Sequence, residues 1–154
     1  MSDRFLMLEA RCTGANLAIY KPLVPGTQMS AEVRVDKATP TAVVPTPSGL
    51  VQACQMGIAL IIEVGDQGDG RGASMVVSAS VGGFFGVLSG ETVPIAAIEA
   101  SAHSFARMLY PLARSEVAHL LASARLADVP VSWDIGPNEE SEGQSFTRNG
   151  KLGR

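Results

Sequence analysis

Hydrophobic and polar residues alternate along much of the first half of the chain. In QMSAEVRVDK (28–37), Met29, Ala31, Val33 and Val35 fall on one face and Ser30, Glu32, Arg34 and Asp36 on the other, the period-two pattern of a half-buried strand. In GLVQACQMGIALIIEVG (49–65), Leu50, Cys54, Met56, Ile58, Leu60, Ile62 and Val64 form an apolar face broken only by Gln52. The opposite face carries Val51, Ala53, Ala59 and Ile61 beside Gln55 and Glu63, which predicts cover on both faces over part of the strand. GDQGDGRG (65–72) holds four glycines and two aspartates and predicts a hairpin turn. After it, ASMVVSASV (73–81) alternates again, with Met75, Val77, Ala79 and Val81 opposite Ser74, Ser78 and Ser80. A strand over Phe5 to Cys12 completes the set. The stretch that follows it, TGANLAIYKPLVPGTQ (13–28), has Pro22, Pro25 and Gly26 and predicts an irregular loop. It also carries Leu17, Ile19, Tyr20, Leu23 and Val24, residues a loop keeps when they pack or bind.

From residue 92 the period changes to that of a helix. Thr92 is placed as the N-cap and Pro94 within the first turn, where a missing N–H costs nothing. Helical spacing runs from Ile95 to about Leu126, with Pro111 marking a kink or a restart. Leu109, Leu112, Ala113, Val117, Leu120, Leu121 and Ala124 make an apolar stripe; Glu116 falls inside it, and Arg107, Arg114 and Arg125 lie off it. A carboxylate in that place either reaches water from the stripe's edge or meets an arginine of a neighbouring subunit. GPNEESEGQSFTRNGKLGR (136–154) is polar and predicts a disordered tail. The pattern therefore predicts an α+β fold: a four-stranded antiparallel sheet followed by a long helical region packed on it. Residues 1–135 form one domain and 136–154 the tail.

Composition narrows the chemistry. The chain has 154 residues, enough to bury a core without staples, and its net charge of −3 with no Lys or Arg cluster argues against nucleic acid as a partner. Cys12 and Cys54 form no CxxC and have no His close by in sequence, so both read as small hydrophobes in a reducing compartment. The N-terminus has Asp3 and too short an apolar run for a signal peptide. No apolar run reaches the length of a membrane span, so a cytoplasmic protein is expected.

His103 and His119 lack metal-ligand spacing, and no GxSxG elbow is present. The 65–72 turn ends in no GK[ST] phosphate loop and has no closing Glu for calcium. VGGFFG (81–86) has the wrong spacing for a dinucleotide fingerprint and reads as a bulge or a close approach by another backbone. The expectation is a protein that is not an enzyme and needs no metal or cofactor, unless a ligand-sized pocket opens around His103 and Glu99.

Two stretches carry a family resemblance. SASVGGFFGV (78–87) resembles the fourth-strand pattern of SecB-type protein-export chaperones, with glycine before an aromatic. In LYPLARSEVAHLL (109–121), Tyr110, Pro111, Leu112, Ala113 and Arg114 are similar to that family's helix-opening pattern, and LADVPVSWD (126–134) sits where the family has a proline-bearing extended stretch ending in an aromatic.

The resemblance implies an ATP-independent holdase, a dimer of dimers built from paired sheets and antiparallel helices, whose apolar grooves hold unfolded preproteins for export. On this reading Leu17, Ile19, Tyr20, Leu23, Val24, Leu126, Val131 and Trp133 line the groove, while Leu109, Leu112, Arg114, Glu116, Val117 and Leu120 form the subunit interface. The alternatives are a SecB-like chaperone dedicated to one client, such as an antitoxin, and a scaffolding oligomer of the same fold. Two departures bear on the choice. Ser115 stands where the family has a Glu directly after the helix Arg, and WDIGPNEESEG breaks at Gly136 and Pro137 where the family continues into a second helix and a tail that contacts the SecA motor. Glu63, Asp66 and Asp69 at the hairpin remain as an acidic surface for a basic partner.

Overall fold

A computed structural model describes residues 5–24, 27–47, 49–65, 72–87, 93–131 and 145–151. Its elements in chain order are β1 (Phe5–Ile19), β2 (Gln28–Val35), β3 (Thr39–Thr46), β4 (Gly49–Val64), β5 (Met75–Val87), α1 (Ile95–Ala100), α2 (Ala102–Ser123) and β6 (Ser145–Lys151). The strands form one antiparallel sheet in the order β1-β5-β4-β2-β6, with β3 also paired to β4. The fold is α+β, a sheet with a long helix lying on one face.

The period-two pattern of β4 and β5 positions this helix. Cys54, Met56, Ile58, Leu60, Ile62 and Val64 on β4 face the same side as Met75, Val77, Ala79, Val81 and Phe85 on β5, and all are buried. From α2 come Ala102, Phe105, Ala106, Leu109, Tyr110, Ala113, Val117 and Leu121, at the three- and four-residue spacing that keeps one helical face inward. Each large side chain in this core contributes roughly 1.5–3 kcal/mol through removal from water. The second face of β4 is not covered as its apolar content predicted. Gln55 and Glu63 are exposed and Gly57, Ala59 and Ile61 half-buried, so of the odd positions from 53 to 63 only Ala53 is buried.

The first strand runs to Ile19, beyond the predicted end at Cys12, and the reason lies in two bulges. Register with β5 shifts between Met7 and Glu9 and again between Cys12 and Gly14. Residues paired with the helix-facing positions of β5 are therefore Phe5 and Met7, then Ala10 and Cys12, then Ala15, Leu17 and Ile19. Each bulge switches the parity of the inward residues, which breaks the alternation in the sequence while the strand continues. The predicted bulge in VGGFFG thus sits on the partner strand, and Gly83 answers to a side chain rather than a backbone. A Cβ on Gly83 would stand 2.6 Å from Leu109 Cδ2 and 3.1 Å from the Phe85 ring.

Four further expectations are corrected. The strand β3 was not expected; it extends along β4 residues 49–55 where β2 covers 58–64, so β2 and β3 occupy successive lengths of one edge. Its Pro40 and Pro45 are tolerated because β3 pairs on one side alone. The helical region is interrupted at Ser101 rather than at Pro111, which lies exposed inside an unbroken α2. Pro94 is the N-cap of α1, at φ −59 and ψ 145, and not part of its first turn; Thr92 lies outside the described residues. In the polar tail, 145–151 forms β6 on the outer edge of β2, whereas 136–144 lies outside the described residues.

Candidate functional site

The path of α2 decides which parts of the chain share an end of the sheet. Near its start, Phe105 stacks on Phe85 with ring centroids 4.2 Å apart and meets Phe5 edge-on at 4.9 Å. One turn later Leu109 packs over Gly83. The helix therefore travels back along β5 toward Met75. The 16 residues from Phe105 to Leu121 advance about 24 Å at 1.5 Å per residue, which brings the end of α2 over the start of β5 and the end of β1.

At that end α2 stops in a two-bond C-terminal motif. Leu126 N–H donates to the Leu121 carbonyl at 2.7 Å and Arg125 N–H to the Ala122 carbonyl at 3.0 Å, with Arg125 at φ 60. The chain then turns under Leu126, Val129 and Val131. Val129 is buried, while Leu126 and Val131 are partly buried against the core. Across from them, Leu17 pairs with Val77 and Ile19 with Met75, and the N–H groups of Tyr20 and Lys21 both donate to the Ser74 carbonyl, at 2.7 and 3.2 Å. These bonds fix the point at which the chain leaves β1.

The groove residues expected from the sequence divide into two sets. Leu17, Leu23, Leu126 and Val131 are partly buried on the core and form a floor. Ile19, Tyr20 and Val24 are 52%, 68% and 61% exposed. Trp133 lies outside the described residues. An apolar floor with exposed aromatic and branched side chains beside it suits an apolar segment of another chain, and singly exposed hydrophobes do not have that arrangement.

The expected interface residues also divide. Leu109 and Val117 are wholly buried against this chain's own sheet and present nothing to a second copy. Leu112, Arg114, Glu116 and Leu120 are half-buried along the flank of α2.

The sequence reading missed Leu6, Met7 and Leu8, which are 48%, 46% and 54% exposed on β1, an edge strand. Three consecutive large hydrophobes beside the β1 bulge were the available signal. Glu9 and Arg11, 3.7 Å apart and both exposed, follow on the same edge.

The face of the sheet away from α2 carries a groove of about 460 Å³ with mixed polar and apolar lining, with Glu9, Arg11, Asp36, Gln55, Ala59 and Phe84 among its residues. His103 and Glu99 do not line it; Glu99 holds Lys37 at 2.8 Å and ties α1 to the segment after β2. Burial pushes the Cys54 thiol up to about 11. Among the described residues no three His, Cys, Asp or Glu side chains gather as a metal site, and no helix is long and apolar enough to cross a membrane.

No protein-family model matches the chain, and no curated protein matches it. Among solved structures it is similar to the Mycobacterium tuberculosis SecB-like chaperone Rv1957, which was solved in complex with a ChAD peptide from the antitoxin HigA1. The TM-score is 0.60 with 15% sequence identity, over 85% of this chain and 91% of that one. At this identity the likeness is one of architecture, and it agrees with the antiparallel sheet and overlying helix described above. The chain has the SecB-like fold.

Proposed function

We propose that this chain is an ATP-independent chaperone of the SecB-like kind, which binds non-native polypeptide and performs no catalysis. The observation that carries this reading is the apolar end of the sheet, where Ile19, Tyr20 and Val24 stand exposed beside the floor of Leu17, Leu23, Leu126 and Val131. An extended client can bind there with its apolar side chains on a preformed surface, which spares the chaperone an ordering cost, while its backbone pairs or stays hydrated. The client peptide held by the structural neighbour favours a holdase dedicated to one client, such as an antitoxin, over general export of preproteins through SecA. Assembly into a homo-oligomer, with a dimer of dimers as its full form, draws on the exposed edge of β1 and the flank of α2 at Leu112, Arg114, Glu116 and Leu120.

The test is light-scattering mass in solution with and without a stoichiometric reduced, carboxymethylated α-lactalbumin, repeated with the variant Tyr20→Asp/Val24→Asp. The wild-type chain is expected to take up the unfolded protein and keep it soluble. The double variant, changed at two exposed positions, is expected to fold normally and to lose the bound mass. Equal uptake by both would place the client elsewhere, and no uptake by either would remove a holdase of general clients and leave the dedicated one. A SecA requirement is read separately, by whether added SecA joins the loaded complex.

A further inference from the structure

The outer edge of β2 is filled by the chain's own C-terminal segment. From Gln28 opposite Lys151 to Arg34 opposite Ser145, β6 runs antiparallel to β2 through seven consecutive pairs. The inner edge of β2 is held by β4 over Met29–Val35, and Val33 is buried in the core, so β2 is anchored without β6. By contrast, among the described residues β6 pairs with β2 alone.

Two features make β6 a weak occupant. Its sequence, SFTRNGK, contains one large apolar residue, Phe146, and ends in Asn149, Gly150 and Lys151, residue types depleted from strands. It also lies at the edge of the sheet, so its departure exposes an edge and disrupts no other pairing among the described residues. The position of that edge matters. β2 begins at Gln28, and just before it the Thr27 N–H donates to the Val24 carbonyl at 3.2 Å, so the edge starts beside the exposed Val24.

We propose that the outer edge of β2 is a strand-docking site for client polypeptide, which β6 occupies in cis and yields by exchange. This rests on the holdase reading above. The fitting client is an extended segment richer in β-branched and aromatic residues than SFTRNGK, long enough to lie along Gln28–Arg34 and continue onto Tyr20 and Val24. Main-chain hydrogen bonds to the edge carry no sequence preference, and the apolar end supplies the selection. As a tethered competitor, β6 acts at an effective concentration of order mM, so weak, polar segments are excluded and only chains that also engage the apolar end displace it.

The experiment compares the full chain with Thr147→Pro/Arg148→Pro. Adjacent N–H groups in a strand point to opposite sides, so one of the two prolines always removes a donor to β2. The probe is fluorescently labelled reduced, carboxymethylated α-lactalbumin. A strand closed about nine-tenths of the time weakens apparent affinity about tenfold, and the variant is expected to bind that much more tightly. A synthetic peptide spanning residues 143–154, added in trans to the variant, is expected to restore the weaker binding. In the unmodified chain, amide hydrogen exchange is expected to show 146–150 losing protection on client binding while 29–34 keep theirs. This measurement stands even if the double-proline variant misfolds. Equal affinities, or unchanged protection of 146–150 in the loaded chain, overturn the exchange and leave the holdase reading in place. No binding of this probe by either chain overturns the exchange together with the general holdase.

Discussion

Arg125 shows how a single backbone angle is tolerated for the sake of the turn it makes. With φ 60, it holds a position at which a side chain crowds its own carbonyl and glycine does not, yet the two bonds closing α2 require it. Arg125→Gly is expected to raise stability by about 0.5–1 kcal/mol, the relief at this angle less the extra freedom of glycine in the unfolded chain. Urea denaturation of the two proteins measures it. Gly83 is the reverse case. A Cβ there would enter the space of Leu109 and the Phe85 ring, both fully buried, and Gly83→Ala is expected to cost about 1–3 kcal/mol as α2 is pushed from the sheet.

Cys54 is buried with its thiol raised from 9.0 to about 11, so the folded state favours the neutral form. That contribution is complete below pH 9 and is lost as pH rises from 9 toward 11. Cys54 is expected to react with a thiol reagent at pH 8 only on unfolding. Cys12, partly exposed on β1, is expected to react in the native protein.

Among the elements, α2 tolerates a proline that the helical ladder would normally reject. Pro111 has no N–H to donate to the carbonyl of Arg107, and both residues sit on the exposed side of the helix, where water reaches that turn. Pro111→Ala is therefore expected to raise the melting temperature, by an amount corresponding to about 1–3 kcal/mol, with α2 otherwise unchanged. The same comparison explains what was legible at this scale. β2, β4 and β5 were readable because each keeps one parity of inward residues along its length. β1 was read short because its two bulges reset that parity, and β3 was missed because Pro40 and Pro45 speak against a strand unless one knows it lies at an edge. β6 was missed because Phe146 and Thr147, which favour a strand, stand in a polar segment with no alternation, and pairing with β2 supplies the rest.

For the molecule as a whole, the path of α2 along β5 sets the site. It brings Leu126 and Val131, more than a hundred residues from Leu17 in sequence, to the end of the sheet where Ile19 and Tyr20 leave β1. It also consumes Leu109 and Val117 in the core and leaves Leu112, Arg114, Glu116 and Leu120 half-buried beside them. Leu112→Asp with Leu120→Asp is expected to lower the mass in solution by breaking contacts between copies, as light scattering will show, while a helical circular dichroism signal is retained.

The periodicities of the chain were enough to determine its class: alternation requires strands with one buried face, and the 3.6-residue stripe requires a helix to cover them. The motifs at 78–87 and 109–121 added the SecB-like expectation, which the architecture bears out. Local pattern records only which residues avoid water. It does not record whether they avoid it against their own sheet, a second copy or a client, because the free energy of burial is the same in each case. The tertiary structure decided the first of these, placing Leu109 and Val117 against the sheet, leaving Tyr20 and Val24 outside, and laying β6 along an edge that its own sequence does not demand.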